Sequence, residues 1–200
     1  MLLALDLATT TGWCAGDGSS LPSLGSVTMP KTGEENGPYF DFFFRWMHAK
    51  ISELQTEFEV ETEPGDFGPR SVDRKALICA IEAPMLPAAR YNSEKNRWEK
   101  TTNLATTRKL QGLAGFAETI CYQRNVLCEE VYASQVKSAI GGSGKAAKPD
   151  MMAAAKKCGL NPPTHDAADA FGVWVLMMRA YARQYQHQWD QRLYGGRGLL

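Results

Sequence analysis

Two short apolar runs, each interrupted by one carboxylate, constrain this chain more than anything else in it: Leu2–Ala8 (LLALDLA) carries Asp6, and Ala76–Ala83 (ALICAIEA) carries Glu82. Near-continuous apolar runs of this length suit strands covered on both faces of a sheet. A carboxylate inside such a strand is costly unless it is paired or gives up its charge through a raised pKa. Both acids stand near the C-terminal ends of their runs. If the two strands are parallel neighbours, the side chains converge at one end of the sheet, and something cationic has to meet them there.

The rest of the chain supplies the layers. Thr9–Gly12 reads as a turn, Trp13–Gly16 as a short second strand and Gly25–Met29 as a third, closing an antiparallel meander. Residues 39–59 have a helical pattern, with Phe40, Phe43, Phe44, Met47, Ile51, Leu54 and Phe58 on one face. Glu59–Arg74 is an acidic loop rich in Pro and Gly, and Pro84 and Pro87 stop the second apolar strand. Leu86–Thr102 is a polar segment that mixes Arg90, Lys95, Arg97 and Lys100 with Tyr91 and Trp98. Then come a helix over 103–124, a strand over Val126–Tyr132, a short helix over Ser134–Ile140 and the loop GGSGKAAK. Pro149 suits the first position of a helix ending at Gly159, and Thr164 can cap a last helix running to about residue 188. Three strands, helix, strand, helix, strand, helices predicts an α/β fold: a mixed five-stranded sheet, with an antiparallel three-strand meander plus parallel strands, flanked by helices. One domain is expected over 1–188, with 189–200 as a flexible tail that includes GGRGLL.

Asp166 and Asp169 open the last helix, and their i, i+3 spacing puts them on one face. That face continues through Ala170, Val173, Met177 and Ala180, the stripe expected to pack on the sheet. Acids are welcome in a first helical turn because of the helix dipole, but two on the buried stripe ask for more than that. With Asp6 and Glu82 they make four carboxylates that would repel one another without cations. Hard oxygen ligands select Mg²⁺, with Mn²⁺ as its substitute, and a pair of such ions suits in-line displacement at phosphorus.

Net charge is zero, which alone argues against a nucleic-acid partner, but its distribution does not. Residues 1–68 hold three bases against eleven acids, and residues 69–200 hold nineteen bases against eleven acids, so the second part can present a basic face. The five cysteines include no Cys-x-x-Cys pair, and Cys79 and Cys121 sit in apolar patterns. They read as core thiols in a reducing cytoplasm, with neither disulfides nor zinc. No apolar run is long enough for a membrane span, and the apolar start lacks the basic flank of a signal peptide.

In their order and spacing these motifs resemble the RuvC family of Holliday junction resolvases. LALDLATTTGW is similar to the family's first motif and AIEAP to its second. VKSAIGGSGKAAK followed by THDAADAF is similar to its third region, a Gly-rich basic loop before an Asp-x-x-Asp helix start. The resemblance spans roughly residues 2–16, 77–85 and 103–180. It implies a ribonuclease-H-like fold and a catalytic, metal-binding set of Asp6, Glu82, Asp166 and Asp169. It further implies a homodimer that binds four-way DNA junctions and resolves them by paired symmetric nicks. Lys137 and Lys148 match family lysines near the scissile phosphate, and Lys148 joins the catalytic set. Lys145, Arg90 and Arg97 are further candidates for DNA contact. Met85 stands where the family places an aromatic wedge, and is followed here by Leu86. The segment 86–102 is longer than usual, and Ala8 replaces a more usual glycine or small polar residue. These departures favour a broader range of branched substrates. The compact size is compatible with a phage-type member acting in the bacterial cytoplasm.

Two rival readings differ in kind. A phosphotransferase or ATPase of the actin and sugar-kinase superfamily shares an Asp-containing first hairpin rich in Thr and Gly. The chain is short for two such lobes, and no phosphate-binding Gly motif follows Asp169. The loop before Lys148 also fails as a P-loop, with Ala139 where the first Gly and Ala146 where the Ser or Thr would stand, so no nucleotide cofactor is expected. A non-catalytic module that binds branched DNA is the other alternative, and the presence of all four carboxylates weighs against it.

Overall fold

In the computed structural model, residues 1–33, 35–56, 77–84, 89–92, 94, 96–100, 104–141, 144 and 146–195 are described. Strands β1 (Leu2–Asp6), β2 (Thr10–Gly16) and β3 (Ser23–Thr28) form the meander, followed by α1 (Gly37–Thr56), β4 (Ile78–Glu82) and a hairpin of β5 (Ala89–Asn92) and β6 (Arg97–Lys100). Then come α2 (Leu104–Gln123), β7 (Leu127–Val131), α3 (Ala133–Gly141), α4 (Lys148–Lys157), α5 (His165–Tyr181), a 3-10 turn (Arg183–Tyr185) and α6 (Gln186–Tyr194). The main sheet has the order β3-β2-β1-β4-β7, antiparallel across β3, β2 and β1 and parallel across β1, β4 and β7. This is the mixed five-stranded sheet expected from the sequence.

Strand periodicity divides the core between the two faces of the sheet. Leu2, Ala4, Cys14, Ala80 and Val131 face α5, where Phe171, Trp174 and the returning Trp189 are buried. Leu3, Leu5, Cys79 and Ile81 face α1 and α2, meeting Phe43, Met47, Ile51, Leu113, Ala117 and Ile120. Asp6 has the parity of Leu2 and Ala4, and Glu82 that of Ala80, so both acids stand on the α5 face. Leu5 pairs with Ile81 in the parallel register, which brings Asp6 and Glu82 side by side one residue further on.

Several boundaries move for physical reasons. The second strand starts at Thr10 and not Trp13, because Thr10–Gly12 find partners on β3 and, at Gly12, on β1. The preceding turn is closed by Thr11, whose hydroxyl donates to the Ala8 carbonyl at 3.0 Å. The polar segment 86–102 contains a hairpin that, among the described residues, pairs only with itself, with Asn96 in the left-handed region (φ 47°) at its turn. Such a ribbon needs no apolar alternation to mark it in the sequence. Pro149 is the second residue of α4 and not the first; Lys148 leads, and Asp150 accepts from the Ala147 backbone N–H at 2.8 Å.

The largest correction concerns the end of the chain. The last long helix stops at Tyr181, and α6 returns to the core with Trp189 fully buried and Leu193 nearly so. The Trp189 indole donates to the Gly18 carbonyl at 2.8 Å, and Trp174 donates to Gly16 at 3.2 Å. Residues 189–194, expected in a tail, are helical here, with Trp189 and Leu193 packed into the core. Ala180, expected on the packed stripe, is exposed because the helix is leaving the sheet there. The acidic loop beyond residue 56 and the final residues 196–200 lie outside the described residues.

Candidate active site

The N-terminus of α5 sits on the C-terminal end of β1, and a glycine makes this possible. Gly12 pairs directly with Asp6. A Cβ at Gly12 would lie 1.9 Å from the Asp166 carbonyl oxygen and 2.7 Å from the Ala167 nitrogen. The bare backbone of β2 thus lets the first turn of α5 press against the sheet. The Thr164 hydroxyl accepts from Ala167 N at 3.1 Å, starting the helix so that Asp166 and Asp169 project toward the strand ends. Gly172, one turn further, would drive a Cβ to 2.5 Å from Met151 and 2.8 Å from Val136. Its absence seats α3 and α4 against α5, and these helices carry Lys137 and Lys148.

The result is a carboxylate cluster. Asp6, Asp166 and Asp169 each offer an oxygen, all within 4.8 Å of one another, and each residue is partly buried. Glu82, on the neighbouring strand, is close enough to act electrostatically on Asp6. Burial first, then the charges of Glu82, Asp169 and Asp166, push the Asp6 carboxyl up to about 8, while Lys148 draws it down. Glu82 is raised by burial and by Asp169, against Lys137 and Lys148. Asp169 is raised chiefly by burial, with Lys148 opposing. The Lys148 ammonium lies 3.9 Å from an Asp166 oxygen and is itself largely exposed. Lys137 and Lys148 do not neutralise four acids, and the Asp6 carboxyl stays raised to about 8, so that it holds its proton at neutral pH. That is the condition a hard cation relieves: it replaces the proton and binds the oxygens. The donor set is all oxygen and partly open to solvent, which fits a divalent ion of the magnesium class.

The structure therefore brings together Asp6, Glu82, Asp166 and Asp169, with Lys137 and Lys148 around them. His165 is exposed at the start of α5, and its charge acts favourably on Asp169. Arg90 and Arg97 lie on the β5–β6 hairpin at register positions opposite Glu99 and Asn92. Met85 and Lys145 lie outside the described residues. Two positioning residues were not singled out in the sequence, Gly12 and Gly172. Gly12 carried a signal, since it ends the Thr-rich turn after Asp6; Gly172 carried none, since a glycine inside a helix announces a close neighbour without saying which. Among the described residues, Cys79, Cys121 and Cys128 form a second cluster, in the opposite layer.

No protein-family model matches the sequence, and no curated protein matches it either. Solved structures do share its fold. The RuvC structure from Thermus thermophilus superposes with a TM-score of 0.52 at 18% identity, covering 92% of this chain and 95% of that one. T. thermophilus RuvC in complex with Holliday junction substrate gives 0.54 at 19% identity, covering 92% and 94%. The yeast mitochondrial Holliday junction resolvase Ydc2 gives 0.50 at 12% identity, covering 98% and 81%. The chain has the ribonuclease-H-like fold of RuvC over most of its length. Among the described residues, no helix is long and apolar enough to cross a membrane.

Proposed function

We propose that this chain is a metal-dependent endodeoxyribonuclease that resolves four-way DNA junctions, acting as a homodimer that makes paired symmetric nicks. The observation that carries the reading is the convergence of Asp6, Asp166 and Asp169 beside Glu82 at the strand ends, on a fold shared with junction resolvases. Asp6, Glu82, Asp166 and Asp169 would hold Mg²⁺ ions, which supply charge neutralisation at the phosphate and acidify a bound water. Asp6 and Glu82 are fixed by a two-sided sheet register, so their oxygens do not have to be ordered at the moment of reaction. Lys148, mostly exposed and anchored toward Asp166, is placed to reach a phosphate oxygen from the open side. Lys137 faces the same acids from α3 and limits their mutual repulsion. The hairpin β5–β6 leaves from the strand that carries Glu82 and is proposed, with Arg90 and Arg97, to contact DNA arms and broaden the substrate range beyond four-way junctions. Met85 and Lys145 complete the proposed DNA-contacting set.

The test is cleavage of a labelled synthetic four-way junction with Mg²⁺, with Mn²⁺ and with chelator, beside linear duplex, flap and fork controls. Symmetric metal-dependent nicks that disappear in Asp6→Asn, with junction binding kept, are expected. Binding without cleavage by the wild-type protein under either metal would leave a branched-DNA-binding module and remove the enzyme reading.

A further inference from the structure

Cys79 and Cys128 are direct partners in the parallel register of β4 and β7, on the face turned toward α2. Cys121 comes down onto them from the last turn of α2, four residues after the buried Ala117 and one after Ile120. The three sulfurs lie within 4.8 Å of one another and hydrogen-bond among themselves. Cys79 and Cys121 are fully buried, and Cys128 is half-buried on the edge strand, which gives an access route from solvent. Glu118 stands one turn before Cys121 and is exposed at the mouth of the cluster, close enough to interact with Cys128.

Four-coordinate zinc binds thiolate sulfur at about 2.3 Å, so three such ligands sit about 3.8 Å apart. The observed triangle is at most about 1 Å wider on an edge than that geometry. Three side chains from three different elements already point at one centre, without the Cys-x-x-Cys spacing that usually marks such a site. Charge selects the ion. Three thiolates around Zn²⁺ leave one net negative charge, whereas around Cu⁺ they leave two, and burial penalises the second more.

We propose that Cys79, Cys121 and Cys128 form a structural zinc site, with a water as the fourth ligand. Zinc displaces the thiol protons to solvent, with no change of oxidation state, and ties the edge strand β7 to β4 and α2. The site is separate from the carboxylate cluster and does not depend on the nuclease reading.

The full-length protein, reduced and stripped of metal under anaerobic conditions, is titrated with Co²⁺ as an optical stand-in. Thiolate ligation produces a sulfur-to-cobalt charge-transfer band in the near ultraviolet, which carboxylates cannot give, so cobalt at the acidic site stays silent. The expected result is a band saturating at one equivalent and bleached by one equivalent of Zn²⁺. It persists in Asp6→Asn and in Cys158→Ala. Cys128→Ser, at the half-buried position, weakens metal binding by about 100-fold or more, since even outer-shell changes cost 10–100-fold. Cys121→Ser does the same if it folds. No band in the wild-type protein, or a band indifferent to Cys128→Ser, overturns the proposal. So does stoichiometric binding of Cu⁺ with none of Zn²⁺.

Discussion

The two polar clusters of this molecule occupy opposite faces of one sheet and live under different rules. The carboxylates of Asp6, Glu82, Asp166 and Asp169 are ionised at neutral pH in water, so gathering them costs electrostatic energy that the fold has to bear. The thiols of Cys79, Cys121 and Cys128 are neutral in water at that pH, and burying them together costs little. An acidic cluster is therefore evidence of a demand for cation, and its strain is readable in the raised Asp6 carboxyl. A thiol cluster carries no such strain, and only its geometry speaks for a ligand. The difference also separates roles: the first cluster opens onto solvent at the strand ends, the second sits inside a helix–sheet layer.

The sharpest way to break this comparison is at Asp6. Asp6→Asn removes one oxygen ligand from the proposed metal set and should lower cleavage by several kcal/mol in the barrier, about a thousandfold, in single-turnover assays on a four-way junction. Cys128→Ser should leave that rate within about twofold at a temperature where both proteins are folded, because it touches no reacting group. Comparable losses from both would mean that the two clusters are not independent.

Gly12→Ala tests whether the close approach of α5 builds the acidic site. The added methyl meets the Asp166 carbonyl, so the helix has to move away. Denaturant melts should show a loss of about 1–3 kcal/mol or more, and cleavage should fall further than the population of folded protein does. A variant that stays fully active would show that Asp166 is not positioned through this contact.

The cost of the acids should appear as pH dependence of the metal-free protein. The folded Asp6 carboxyl titrates near 8, against an ordinary value of 3.8. The folded state therefore binds the extra proton between these values, and stability is fully present below about pH 4 and is lost as pH rises toward about 8. Chelated wild-type protein should lose a few kcal/mol over that window, and Asp6→Asn should flatten the loss and melt higher at pH 8. Saturating Mg²⁺ should also oppose the loss, since deprotonation then creates ligands. A chelated wild-type protein whose melting temperature rises with pH would contradict the raised carboxyl.

Lys148→Ala is the mildest change. It removes one exposed cation near Asp166, and the slope of log binding against log salt for junction DNA should fall by about one. An unchanged slope would place Lys148 away from the phosphates.

Much of the acidic site was legible because its parts obey local rules. Near-continuous apolar runs put Asp6 and Glu82 near strand ends, and helical spacing put Asp166 and Asp169 on one face behind the Thr164 cap. What stayed hidden depends on contacts between distant segments. Cys79, Cys121 and Cys128 share no motif, and only the β4–β7 register and the α2 approach bring them together. Gly172 sits within a helix and reveals nothing until Met151 and Val136 arrive against it. The α6 return was missed because QHQWDQRLY reads as a polar continuation, while Trp189 supplies the anchor by itself.

The return of α6 onto the turn between β2 and β3 also orders events during synthesis. Asp6 is synthesised 160 residues before Asp166 and the helix that holds it and Asp169, and Trp189, which locks Gly18, comes later still. An incomplete chain has two of its four carboxylates on a sheet whose α5 face is uncovered. Every chain that stops before residue 166 is therefore without the assembled cluster, and the four carboxylates meet only once α5 has been made.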